Sequence, residues 1–445
     1  MRHRSLFALL AWALVGCDDA ASTNASTSGG GSGPTTGSTG ATASTTATTT
    51  TSTGTGGGEA GPIGEWTDAP GVCPEGVPEV VITNSAELSD AARAEGARAG
   101  DAASTCYLLK DGVYQGQGVV MFVTKGGESV EKRRWFIGES RAGVVLHTRA
   151  AVDSGVGDVT IANMTFDLTG FSQSGSFNTF DALDSHDVTI DHVTFTGDCA
   201  TGLMGGHIET SGATNLLVEA CLIEKFGNCG GGGHEDHGVY LSGGAHLVFR
   251  NNVIRGNSSR GIQMYTQGGE FGTLDDVLIE RNRIHENGHG DYEDGIVING
   301  ADTGTISNVV IRRNLLYRNY YSGIRFDGDA VSNVTIEHNT FDSNGVASTH
   351  ASRSEVNIDE AGGEPSTSTV AGNVFSVGHQ LLDDCFASQS KGFSIANDFV
   401  NGALTSGASD CIGALTMGDP QFVDAASGDL HPMNPAAQAF GAYAP

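Results

Sequence analysis

From Asp158 to about Val377 the chain repeats one arrangement of apolar and polar positions: a β-branched run, then Asn-X-apolar, then Asn, then Gly-apolar-X-apolar. Four copies show it clearly: Val248-Phe-Arg-Asn-Asn-Val-Ile-Arg-Gly-Asn257, Leu278-Ile-Glu-Arg-Asn-Arg-Ile-His-Glu-Asn287, Val310-Ile-Arg-Arg-Asn-Leu-Leu-Tyr-Arg-Asn319 and Thr335-Ile-Glu-His-Asn-Thr-Phe-Asp-Ser-Asn344. Equivalent starts fall at Asp158, Asp187, Asn215, His246, Asp276, Asn308 and Asn333, 25 to 32 residues apart, a period typical of stacked repeats. Within a period the apolar residues alternate in runs of two or three, which predicts short strands rather than helix faces.

Stacking equivalent positions predicts the core. One inward column is Ile161, Ile190, Val218, Phe249, Ile279, Ile311 and Ile336; a second is Phe166, Phe195, Ile223, Ile254, Ile284, Leu316 and Phe341. A third wall carries Val239, Ile262, Ile296, Ile324 and Val356, with Leu241, Met264, Ile298, Phe326 and Ile358 two residues on. Asn252, Asn282, Asn314, Asn339 and Asn373 form a polar column among apolar neighbours, which reads as a ladder of amides stacked at the strand spacing of about 4.8 Å. Cys221 shares that register and reads as a buried thiol. Beside the ladder, Asp191, Glu219, Arg250, Glu280, Arg312 and Glu337 mostly alternate in sign, as register-setting pairs on adjacent strands do.

Through Asn252-Val-Ile-Arg-Gly-Asn257 and its sister copies the chain resembles the pectin lyase-like superfamily over roughly residues 75–440. That resemblance implies an all-β, right-handed parallel β-helix, the hand that parallel crossovers favour, with an N-terminal helical cap and an irregular C-terminal cap. The expected organisation is a signal over 1–17, a Ser/Thr/Gly-rich tether over 18–64, the N-terminal cap and first coils over 65–157, regular coil over 158–377, and the last coil with the C-terminal cap over 378–445.

The first segment has Arg2 and Arg4, an apolar run from Leu6 to Val15 too short to span a membrane, and Leu14-Val15-Gly16-Cys17. It resembles a bacterial lipoprotein signal, which implies acylation of Cys17, a lipid-anchored place in the cell envelope, and surface exposure at the outer membrane. The tether lacks core-forming residues and reads as a flexible spacer. In the N-terminal cap, Asn84 with Glu87 reads as a capping box, and Leu88, Ala91 and Ala92 as one apolar helix face.

With Cys17 lipidated, seven of the eight cysteines remain, an odd number for an oxidising compartment. Cys73 with Cys106 and Cys385 with Cys411 are expected to staple the caps, and Cys199 with Cys229 to bridge neighbouring turns, leaving Cys221. The formal net charge is −29, and removing Arg2 and Arg4 with the signal takes it to −31. Nucleic acid and anionic membrane surfaces are therefore poor partners. The expected partner is an extracellular polysaccharide, bound by a monomer that meets the membrane only through its anchor. A polyuronate would need a groove that concentrates Arg, or bound Ca²⁺ to reverse the local sign.

Two loops outgrow their neighbours, Cys229-Gly-Gly-Gly-Gly-His-Glu-Asp-His237 and Gly288-His-Gly-Asp-Tyr-Glu-Asp294, with the short turn Ser258-Ser-Arg260 between them. The strands that follow point Tyr240, Gln263, Val297 and Arg325 outward, then Ser242, Tyr265, Asn299 and Asp327; extending the register backwards adds His207 and Glu209. The candidate catalytic set is His237, Asp236, Tyr240, Tyr265, Arg260, Arg325, His207 and Glu209. Uronide elimination or epimerisation needs a base, for which His237 is suited, a donor, Tyr240 or Tyr265, and a carboxylate clamp, Arg260 or Arg325. Hydrolysis needs two carboxylates about 5 to 9.5 Å apart, for which Asp236, Glu209, Asp294 and Asp327 are candidates. His234, Asp294 and Asp327 are candidate metal ligands: His234 with His237 and His289 for Zn²⁺, and Asp327-Gly-Asp329 for Ca²⁺ or simply a turn. No other cofactor is implied. The Asp-His and Arg-X-Pro-X-X-Arg signatures of pectate lyases and the polygalacturonase set are absent, so the resemblance implies a carbohydrate-facing scaffold without choosing a reaction. Two readings stand: a glycan lyase, epimerase or hydrolase, and a non-catalytic glycan-binding or adhesin-like module.

Overall fold

The computed structural model describes residues 63–64, 66, 68–95, 104–170 (backbone only at 117 and 118), 178–199, 205–229, 235–266, 272–290, 292–300, 304–328, 330–358, 365–383, 392–405 and 411–445. Equivalent strands of successive turns pair in parallel. One wall is a sheet of 12 strands running from Glu79–Ile82 through Gly244–Arg250 to Ser394–Ile395. The other two walls join in a sheet of 19 strands, through the long strands Gly112–Val123 and Val144–Val152. The expected columns are in register: Val218, Phe249, Ile279, Ile311 and Ile336 pair rung on rung, as do Ile223, Ile254, Ile284, Leu316 and Phe341. The third wall stacks Val239, Ile262, Ile296, Ile324 and Val356. All of these are buried in one core.

Two turn positions set the period. The residues Asp158, Asp187, Asn215, His246, Asp276, Asn308 and Asn333 all adopt φ between 52° and 57°. Asp and Asn tolerate this left-handed conformation better than other non-glycine residues, which is why they mark the repeat. A second left-handed residue, Ala220, Asn251, Arg281, Arg313 or His338, turns the chain immediately before the ladder position.

The Asn ladder is continuous. Each Nδ2 from Asn252 through Asn339 donates to the Oδ1 of the next rung at 2.9–3.1 Å, and the same oxygen also accepts the donor residue's backbone N–H at 2.8–2.9 Å. Cys221 begins the stack, its N–H donating to Asn252 Oδ1 at 2.9 Å, and Asp398 ends it by accepting from Asn373. A second ladder, not foreseen, runs through Asn257, Asn287, Asn319 and Asn344 at the next corner and ends on Glu355. It fits because Gly238, Gly261, Gly295 and Gly323 line the corner: a Cβ on Gly295 would lie 2.7 Å from Asn319 Nδ2.

The helix Ser85–Arg93 buries Leu88, Ala91 and Ala92, and Asn84 caps it by accepting from Glu87 N–H at 3.0 Å. Glu87 reaches back to Thr83 rather than to the cap residue itself, so the capping box is shifted by one position. Cys73 is bonded to Cys106 and Cys199 to Cys229. Cys411 is also disulfide-bonded, Cys385 lying outside the described residues. Cys221 is a free, buried thiol whose pKa is pushed up by burial.

The irregular C-terminal segment covers the coil from its side. Its hairpin, Phe422–Asp424 with Asp429–Pro432, lies along the side of the coil. Leu430 and Ala442 pack on Leu315 and Tyr317, and Ala437 packs on Val374 and Phe399. The reason lies in the strand Leu315–Tyr317, which is apolar at all three positions where Thr194–Thr196 alternates. Such a wall has two faces to bury, and the terminus supplies the second cover.

Candidate functional site

The wall containing Asp236–Leu241, Ile262–Tyr265, Ile296–Asn299 and Ser322–Asp327 presents its outward positions in rows. Its middle row pairs Asp181, Glu209, Tyr240, Gln263, Val297, Arg325 and Asn357 on successive strands. Tyr265, Asn299 and Asp327 form a parallel row two residues on. At the corner before the strands, backbone bonds from Gly238 to Arg260 and from Gly261 to Asp294 align His237, Arg260 and Asp294. His237 and Tyr240 are ring neighbours, their centroids 5.5 Å apart. Thus His237, Tyr240, Tyr265, Arg260, Arg325 and Glu209 share one face.

His207 departs from the expectation. It is fully buried between Phe195 and Phe226, with Nδ1 2.9 Å from Thr179 Oγ1 and Nε2 2.8 Å from the Glu224 carbonyl. Burial lowers its pKa to about 4, so it is neutral at physiological pH. Simple alternation fails here because two successive residues face inward at this corner. His207 occupies the position that Gly238 and Gly261 hold on later turns, where a Cβ would meet Ile254 and Ile284. Asp236 is turned away too: its Oδ2 accepts from Asn228 N–H at 3.0 Å beneath Gly227, and burial raises its pKa to about 6. His234 lies outside the described residues.

At one end of the face, Glu209 and Asp181 stand on adjacent strands and share one amide. Asn178 Nδ2 donates to both, at 2.7 Å to Asp181 Oδ1. Ser211 also donates to Glu209, and Arg149 pairs with Asp181 at 3.0 Å. Burial, and then the neighbouring Asp181, push Glu209 up to about 7. Asp181 is raised by burial as well, with Arg149 and Asn178 opposing. With its pKa pushed up to about 7, Glu209 keeps a proton near neutrality, the condition for general acid catalysis. Asp181, Asn178 and Arg149 were missed in the sequence. The available signal was Phe180 and Ala182, which alternate around Asp181 as Ile208 and Thr210 do around Glu209.

At the other end the charges are mutually satisfied. Arg325, nearly fully buried, donates from Nε to Asp294 Oδ2 and from Nη1 to Asp327 Oδ2, each at 3.0 Å. Asn299 also donates to Asp327, and Arg260 donates to Gln263 at 2.6 Å. Burial, and then the nearby Arg325, lower the Arg260 pKa to about 10. Asp294 and Asp327 are therefore ion-pair partners, and among the described residues no group of three His, Cys, Asp or Glu is arranged to hold a metal. Above Arg325, Tyr292, Tyr321 and His350 cluster with ring centroids 5.1 to 5.6 Å apart, and Tyr292 is 40 % exposed. From Glu209 to Arg325 the face spans four strand spacings, about 19 Å at about 4.8 Å each.

Comparison with solved structures finds remote likenesses. The A-module of the Azotobacter vinelandii mannuronan C-5 epimerase AlgE6 is 15% identical, with a TM-score of 0.44, over 76% of this chain and 100% of that one. Pectate lyase Pel9A is 14% identical, with a TM-score of 0.43, over 74% and 76%. The catalytic domain of a GH87 α-1,3-glucanase is 10% identical, with a TM-score of 0.40, over 78% and 69%. No curated protein shows a significant match. The family model described as "right handed beta helix region" matches residues 139–300 and 266–375, more than half of the chain. With its stacked parallel walls and corner ladders, this chain belongs to the right-handed β-helix family.

Proposed function

We propose that the protein is a cell-surface, polysaccharide-active enzyme whose proton transfer is carried out by the Glu209–Asp181 pair. The observation that carries this reading is the shared Asn178 amide, which holds two carboxyl groups on an outward face with Glu209 pushed up to about 7. Groups on adjacent strands stand about 4.8 Å apart at the backbone, near the roughly 5–5.5 Å separation of retaining glycosidases. Hydrolysis is favoured over uronide elimination because Arg325, a candidate carboxylate clamp, is committed to Asp294 and Asp327. Glu209 gives its proton to the glycosidic oxygen as the anomeric C–O bond breaks, Asp181 supports the positive charge that develops at the anomeric carbon, and water adds its hydroxyl to that carbon while its other proton returns to Glu209. Tyr240 and His237, on the next strand, orient the sugar.

Export and anchoring belong to the same proposal, supported by Leu14-Val15-Gly16-Cys17 and the composition of residues 18–62; Ile63 and Gly64, expected in the tether, pack on the coil instead. Acylated Cys17 tethers the protein to the bacterial outer membrane, and the spacer holds the coil clear of it.

The test is turnover on a panel of polysaccharides, with and without EDTA, following reducing ends and unsaturated-uronide absorbance. Reducing ends without the absorbance, lost by at least a hundredfold in Glu209→Gln, are the expected result. The Tyr292–Tyr321–His350 cluster favours a second reading, a non-catalytic glycan binder. Binding without turnover, unchanged in Glu209→Gln, would establish that reading instead.

A further inference from the structure

A cleft of about 300 Å³ lies over a different wall of the coil from the carboxyl pair. Its size is at the lower end of the roughly 300–1,000 Å³ typical of small-ligand sites. Arg255, Arg283, His285 and Tyr317 form its floor, Gly64 and Trp66 one side, and Ser427 the other. The protein carries a net charge of −29, yet two guanidinium groups face this space and none of its described lining residues is acidic.

The two arginines differ. Arg255 is held by Glu224 at 2.7 Å. Arg283 makes no ion pair with any described residue, and its Nε is buried without a hydrogen-bond partner. Asp429, whose charge reaches Arg283, is itself bonded to His431 at 2.7 Å. The Arg283 guanidinium thus lines the cleft without a paired carboxylate, and a carboxylate entering the cleft would gain a charge-assisted hydrogen bond there.

The walls are built rather than draped. Gly64 has φ +59°, and a Cβ there would lie 2.7 Å from Arg283 Cβ and 2.9 Å from the Asn252 carbonyl, so the N-terminal segment sits directly on the strand. Ile63 is buried with Leu315 and Tyr317, while Arg141 fixes the next stretch by stacking on Trp66 at 4.5 Å and pairing with Asp68 at 2.9 Å. Trp66 remains 39 % exposed, an aromatic surface beside the cations. The stacked rings of His285 and Tyr317, 4.5 Å apart, add polar ring edges to the floor. Cation, aromatic surface and polar edges together suit a sugar ring bearing a carboxylate better than a bare anion.

We propose that this cleft is a second, non-catalytic binding site that takes an acidic sugar, whose carboxylate completes Arg283. It is independent of the Glu209 reading and places the recognition of anionic glycan on a wall other than the one with the carboxyl pair.

The test titrates the full-length protein with trigalacturonate and follows indole fluorescence. Expected is a saturable change that disappears in Trp66→Phe, weakens at least tenfold in Arg283→Gln, persists in Glu209→Gln and is not produced by neutral maltotriose. Should Arg283→Gln lose the native far-UV circular dichroism spectrum, Arg283→Lys replaces it, with weakening of at least threefold expected. An affinity unchanged in the folded Arg283 variant, an equal response to maltotriose, or a response unaltered by Trp66→Phe overturns the proposal. Inorganic phosphate saturating the cleft where trigalacturonate does not would overturn the saccharide assignment.

Discussion

Asn373 gives both its backbone N–H and its Nδ2 to a single oxygen of Asp398, at 2.7 and 2.9 Å. The last rung of the ladder thus rests on a buried carboxyl group, raised to about 7 chiefly by burial. Its stability contribution is fully present below about pH 4, where the unfolded chain is also protonated. It is lost as pH rises through about 7, because the folded chain must then charge the group or keep a proton the unfolded chain has released. Asp398→Asn keeps the acceptor oxygen and removes the titration. Thermal melts should show the variant gaining on the parent protein between pH 4 and pH 8, on the order of 1–3 kcal/mol; parallel pH curves would refute the coupling.

Asn282→Ala removes a rung from the middle, where Asn252 N–H and Nδ2 both donate to Asn282 Oδ1. It should cost about 1–3 kcal/mol by leaving buried donors without an acceptor. Asn287→Ala tests the second ladder and should match it in urea midpoints, since the bonding is the same.

Arg325→Met leaves Asp294, which is fully buried, without its cation. A loss of about 3–5 kcal/mol is expected in urea unfolding. Adding Asp294→Asn to Arg325→Met should recover much of it, because the cost comes from the orphaned charge. If the double variant is no better than the single one, the pair does not hold this corner together.

Glu209→Gln should act in opposite directions on activity and stability. With the group raised to about 7, turnover in the parent protein falls on the alkaline side as its proton is lost. Stability follows the same sign, present in full below about pH 4.5 and declining through about 7, so the inactive variant should melt higher than the parent at pH 8. Equal melting temperatures at pH 8 would mean that Glu209 is not strained in the folded chain.

The coil was legible because its cause is local and repeated. Ile279 predicts Ile311 through nothing more than matching position, and the pairing follows. The first ladder was legible for the same reason. The second was hidden by its glycines: Asn257 and Asn287 appeared at each repeat as markers, but the empty position that admits them is created by Gly238 and Gly261 on another strand. His207 was misplaced because alternation was carried through a corner that interrupts it. The ionic pairs of the candidate face were beyond the pattern, since Arg325 and Asp294 are 31 residues apart and neither charge repeats along its row. The lateral course of the terminus was foreshadowed by the unbroken apolar strand Leu315–Tyr317, whose second buried face required a partner.

Every side-chain-to-side-chain bond of the first ladder runs in the same direction, toward the C-terminus, from Asn252 to Asp398, while each Nδ2 also donates to a backbone carbonyl of the turn before. Such a chain has a head and a tail, and only its tail needs a different residue. A whole turn can therefore be spliced in or removed between interior rungs without changing the residue at either end of the stack, while elongation beyond Asp398 would require a new terminating carboxyl group. Growth of the molecule by internal duplication is built into the polarity of the stack.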